Sequence, residues 1–254
     1  MRCLVLIGLI VMAASAWADV NRSPEAEQVE LFAAIDAEQI EVKLIPKDST
    51  QSTVIIQNNT ENPLTIEIPG AFAGVPVLAQ VGGGGGGFQV GGGGGGGQGF
   101  GGGGGGLGGG GAGGGGVFSV APEAVGKFKV TTVCLEHGKD EPRPRMAYKM
   151  VPIEEFTDDQ RVIELVTMLG DGELDQQVAQ AAAWHLTDAL SWDELLAKVK
   201  VKHLNGSREY YFNRDQIAMA VSAVREAVQR AGDEAPAPKQ KSTQAYDRLR
   251  SAAE

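Results

Sequence analysis

Cysteine is nearly absent from this chain of 254 residues: only Cys3 and Cys134 occur. That excludes a small domain stapled by several disulfides. Histidine is equally scarce, with His137, His185 and His203 in separate segments. Cys134-x-x-His137 has the spacing of half a zinc site, but no second pair accompanies it. No metal is therefore expected, and no other cofactor motif is present. Positive charge is also in deficit, since 22 Lys and Arg against 32 Asp and Glu leave a formal net charge of −10. An acidic surface repels nucleic acid and anionic membranes, so neither is expected as a partner. Past the N-terminus no apolar run approaches the roughly 20 residues of a bilayer-spanning helix, and the mature chain is expected to carry no membrane span.

What is present at the start reads as an export signal. Arg2 is followed by the apolar run Leu4 to Met12 and by the small residues Ala14-Ser15-Ala16-Trp17-Ala18. This is the layout of a signal peptide over residues 1–18, cleaved after Ala18. Cleavage removes Cys3 and leaves Cys134 as a single thiol in an oxidising compartment, secreted, periplasmic or at the cell surface. An unpaired cysteine there points either to an inert buried residue or to a thiol with special chemistry.

Between Ile40 and Gln80 short strands recur about every ten residues, in "IEVKLIP", "STVIIQ", "PLTIEIP" and "VPVLAQV". They resume in "VFSVAP", "GKFKVTTVCLEHG" and "MAYKMVPI". Such spacing predicts an antiparallel, immunoglobulin-like β-sandwich. Between the two groups lies the oddest segment. Residues 82–116 hold 28 of the chain's 37 glycines, interrupted by Phe88, Gln89, Val90, Gln98, Phe100, Leu107 and Ala112. Glycine loses much entropy on ordering and brings no apolar surface, so a long disordered loop inserted between strands is expected. A second reading makes Phe88, Val90, Phe100 and Leu107 the contacts of a sticky, matrix-forming tract.

From Thr157 the periodicity becomes helical. A Thr157-x-x-Gln160 capping box opens a helix ending at Gly170, a second runs from about Asp175 to Leu190, Ser191-x-x-Glu194 caps a third, and Asn213-x-x-Gln216 opens the longest, ending at Gly232. The expected layout is α+β: a sandwich domain over 19–156 carrying the glycine loop, a helical domain over 157–232, and a disordered tail over 233–254.

The segment Val178–Asp188, "VAQAAAWHLTD", places Gln180, Trp184, Thr187 and Asp188 on adjoining parts of one helix side, with small alanines allowing close approach. Gln180-x-Ala182-x-Trp184-x-x-Thr187-Asp188 resembles the glutamine motif of bacterial surface thioester domains, with Ala179 where that motif has threonine. "VCLEHGK", around Cys134, is similar to the family's cysteine strand. The resemblance implies a β-sandwich with helical parts and a thioester between the Cys134 thiol and the Gln180 side chain. It casts Trp184 as a shield against water, with Thr187 and Asp188 as orienting residues. His137, beside Gly138 and a charged loop, is expected on the surface. The function expected is a non-enzymatic, exported interaction module that attaches, through the thioester, to a surface or extracellular protein. The alternatives are a structural surface or matrix component associating through the glycine tract, and a cysteine-dependent enzyme, for which no oriented base or oxyanion hole is legible.

Overall fold

A computed structural model describes residues 26–77, 99–102 and 116–232. The expected signal peptide, the bulk of the glycine loop and the tail over 233–254 lie outside the described residues. The strands are β1 (Glu27–Glu30), β2 (Ile40–Pro46), β3 (Gln51–Asn58), β4 (Leu64–Glu67), β5 (Phe72–Pro76), β6 (Phe100–Gly102), β7 (Val117–Val120), β8 (Val125–Cys134), β9 (Tyr148–Pro152), β10 (Val199–Lys202) and β11 (Arg208–Tyr210). The helices are α1 (Leu31–Asp36), α2 (Gln160–Gly170), α3 (Gln176–Asp188), α4 (Trp192–Ala197) and α5 (Arg214–Ala231).

The architecture corrects the expected sandwich. Six strands close into a barrel in the order β2-β3-β8-β6-β5-β9, sealed where Leu44 of β2 pairs with Tyr148 of β9. Closure depends on β8, which is long enough to pair with two neighbours. Its residues Val125–Thr131 pair with β3, and Thr132–Cys134 pair with β6. A sandwich leaves edges open, whereas here each barrel strand hydrogen-bonds on both sides. Inward alternation is the same in both architectures, so the apolar pattern alone does not separate them. Along β3 the inward side chains are Ser52, Val54, Ile56 and Asn58. Val54 and Ile56 join Leu44, Phe72, Phe100, Phe128, Val130 and Met150 in the barrel core.

The glycine tract needs a second correction, since Gly99–Gly102 are built into the barrel rather than looped out. Phe100 is 1% exposed, its ring 5.0 Å from Tyr148, and it anchors β6. Gly101 faces α2 so closely that a Cβ there would lie 2.8 Å from a Val166 methyl. Phe100 is thus consumed by its own barrel and is no external contact of a sticky tract.

A smaller sheet, β1-β4-β7, packs Leu64, Ile66 and Val120 against Leu31 and Ala34 of α1. Neither β1 nor α1 is legible in the sequence pattern, and the same holds for the hairpin β10-β11. Helices α2, α3 and α5 pack on one another, with α2 against β6 and β8 and α3 against β8, joining Val133, Val166, Ala182, Trp184 and Ala220 in one core. Ser191 and Asn213 form the expected capping boxes of α4 and α5. At α2 the cap is Asp159 instead of Thr157. Its carboxylate accepts from the Arg161 backbone N–H and grips the buried Arg161 guanidinium at 2.6 and 2.8 Å.

Candidate functional site

Alternating hydrogen bonds along β8 decide which groups are open at its end. Thr132 N–H donates to Thr50 O on the β3 side, and Leu135 N–H donates to Gly99 O on the β6 side. Successive amides point in opposite directions along a strand, so Cys134 presents its N–H and C=O on the β3 side. β3 has ended there. The vacant ladder position is filled by the Gln180 carboxamide. Gln180 Oε1 accepts from Cys134 N–H at 2.9 Å, and its Nε2 donates to Cys134 O at 2.9 Å.

One turn earlier Gln176 Nε2 donates to Thr132 O at 3.1 Å. The two glutamines act as a pair because the spacings match. Four helix residues rise about 6 Å, and two strand residues advance about 6.6 Å. One turn later the Trp184 ring meets the His137 ring at 5.0 Å, edge to face. At the helix end Asp188 Oδ2 accepts from the His137 backbone N–H at 3.1 Å, with the Thr187 hydroxyl 2.7 Å away. The stripe Gln176, Gln180, Trp184, Asp188 thus runs along residues 132–137. The alanines Ala179, Ala181, Ala182 and Ala183, all at 0%, let α3 come this close.

The structure therefore brings Cys134 and Gln180 into contact, with Trp184, Thr187 and Asp188 on the same helix beside the strand exit. Cys134 is 1% and Gln180 4% exposed. Burial pushes the thiol up from 9.0 to about 12, the Glu141 charge adding to it while the Ser49 hydroxyl works the other way. The nearby Tyr148 phenol is likewise raised to about 12, mainly by burial. A thiol so placed stays protonated near neutral pH and resists oxidation.

The stability consequence has a definite sign. A raised acid pKa means that the neutral thiol is favoured by the fold, so its contribution is complete below pH 9 and drains away as pH climbs towards 12. On protein whose mass shows the free thiol, raising the pH from 8 to 10.5 should cost the wild type about 2 kcal/mol more than Cys134→Ala. Urea unfolding at both pH values measures this. Parallel losses in the two proteins would mean that the thiol is not desolvated.

His137 differs from expectation. It is half-buried against Trp184, and its Nε2 lies 2.6 Å from Lys198 Nζ. Lys198 Nζ sits 5.2 Å above the Trp184 ring and 5.4 Å above the Tyr211 ring, and the Tyr211 hydroxyl donates to Glu141 Oε1 at 3.3 Å. Among the described residues the buried Trp184 Nε1 finds no hydrogen-bond partner. Sequence reasoning missed Gln176, Lys198 and Tyr211. Only Gln176 carried a readable signal, lying four residues before Gln180 on the same helix face.

The three histidines remain apart: His137 is at the strand exit, His185 stacks on Trp192 at 4.0 Å, and His203 is in the β10-β11 turn. Among the described residues no group of three His, Cys, Asp or Glu is placed to hold a metal ion. None of their helices is long and apolar enough to cross a membrane. No family model, curated protein or solved structure matches this chain.

Proposed function

We propose that this chain is a non-enzymatic, exported interaction module whose Cys134–Gln180 pair is its centre of covalent attachment to a surface or extracellular protein. The observation that carries the reading is the buried, two-point contact between the Gln180 carboxamide and the backbone of the one cysteine in the described chain. Side chains leave a strand along the sheet normal, whereas N–H and C=O lie in its plane. The thiol therefore stands off the plane in which its own backbone holds the carboxamide.

Sulfur attack on Gln180 Cδ forms the S–C bond and breaks the C–N bond, and ammonia leaves with the thiol proton. Cys134 N–H, 2.9 Å from Oε1, is placed to stabilise the charge that develops on that oxygen. A primary amine of the partner then attacks the same carbon, an amide forms, and the thiol is restored. Holding both groups on packed elements makes the first step effectively intramolecular. The Trp184 ring, 5% exposed, supports a role in keeping water from the thioester.

A second reading is favoured by Gln176, which makes the same kind of backbone bond to Thr132, where no thiol is present. Both glutamines are then structural pins, and attachment is non-covalent. Intact mass of the mature protein, before and after methylamine, separates the two. The covalent reading expects a mass lower by one ammonia and methylamine taken up at Gln180. A full mass with no uptake leaves the pins alone.

A further inference from the structure

We infer that Lys198 is an activated amine, a modification site for acyl electrophiles such as activated esters and thioesters, with His137 as its base. The inference goes beyond the Cys134–Gln180 reading and holds whether or not a thioester forms there. A base-activated nucleophile is recognised by a base within hydrogen-bond reach, itself oriented by a third group. Lys198 Nζ and His137 Nε2 are 2.6 Å apart, within hydrogen-bond reach. The imidazole is held by the Trp184 ring at 5.0 Å, and its backbone by Asp188.

The amine is confined but accessible. It lies over Trp184 and Tyr211 while Lys198 remains half-buried. Among the described residues no carboxylate lies within ion-pair distance of its nitrogen, and the attraction on the ammonium comes from the two ring faces, which is weaker than a buried salt bridge. The charged and titratable groups facing it are His137 from the exit of β8, Asp188 from the end of α3, and Tyr211 with its partner Glu141. Burial lowers the lysine pKa, which raises the fraction present as free amine.

In the reaction the ammonium passes one proton to His137 Nε2. The freed lone pair forms the N–C bond at the acyl carbon, and the bond to the leaving group breaks with its electron pair. The second proton on nitrogen neutralises that group, and His137 returns its own proton to solvent. The product is an amide on Lys198.

Trace labelling of the intact mature protein with acetic anhydride, read lysine by lysine by peptide mass spectrometry, tests this. At pH 7 Lys198 should be acetylated several-fold faster than the exposed Lys127, and His137→Gln should bring the two rates together. Across pH 6–11 in the wild type, the labelling midpoint of Lys198 should fall below that of Lys127, a readout that survives if the variant folds poorly. Equal rates at pH 7, or coincident midpoints, would overturn the assignment.

Discussion

Replacing Gln180 with leucine is expected to lower the unfolding free energy by about 2–6 kcal/mol. Leucine fits the volume but leaves two backbone groups of Cys134 buried and unpaired, each costing about 1–3 kcal/mol. Gln176→Leu is the internal comparison. It removes two bonds of a half-buried side chain, the one to Thr132 O and the one Gln176 Oε1 accepts from Gln177 Nε2, and should cost about 1–2 kcal/mol. Urea midpoints of the two variants against wild type measure both. A Gln180→Leu protein as stable as Gln176→Leu would mean that the Cys134 backbone finds other partners and that α3 is not pinned through this residue. The comparison also bears on function. Apolar faces fix the distance between a helix and a sheet better than the slide of one along the other. The two carboxamides fix the slide, and with it the position of Gln180 Cδ relative to the thiol.

This register is partly legible in the sequence. A motif resemblance pairs Cys134 with Gln180, and the structure places them in contact through a mechanism the motif does not describe, a side chain continuing a β-ladder. That contact depends on β3 beginning only at Gln51, opposite Thr131, while β8 continues to Cys134, an offset of strand ends that hydrophobic alternation does not encode. The capping boxes at Ser191 and Asn213 were legible because a cap is decided by four consecutive residues. Asp159 escaped the same logic because its choice over Thr157 depends on Arg161, whose burial against the helical core is a tertiary fact. His137 reads as exposed since its local neighbours are Gly138 and Lys139, and it is covered by tertiary packing, by Trp184 of α3 and by Lys198. The barrel was illegible for a different reason. Its closure passes through Phe100–Gly102, where the composition argues for disorder and the deciding interaction is a single buried phenylalanine.

Gly101→Val tests that closure, and the two readings of the tract predict opposite signs. In a loop, valine at this position would be neutral or slightly stabilising, because it restricts the unfolded chain and favours extended backbone. In β6 it should destabilise by about 3 kcal/mol, the upper range for overpacking a filled core. A Cβ would already lie 2.8 and 3.1 Å from the two Val166 methyls and 3.3 Å from Leu135 Cδ1, and the valine methyls reach further. Val166 is fully buried and Leu135 2% exposed, so neither can swing into solvent, and α2 has to move off the barrel. The damage should not stay local. Phe100 pairs with Cys134, and Gly99 O accepts from Leu135 N–H at 3.0 Å, so β6 holds the opposite edge of the strand that Gln180 holds. Amide exchange at Leu135 should therefore quicken in Gly101→Val, together with that of Cys134, whose N–H bonds to α3. Faster exchange at Leu135 alone would show that the glutamine edge keeps its register without the glycine strand. Quickening at both would make the glycine-rich segment a structural wall of the Cys134 site.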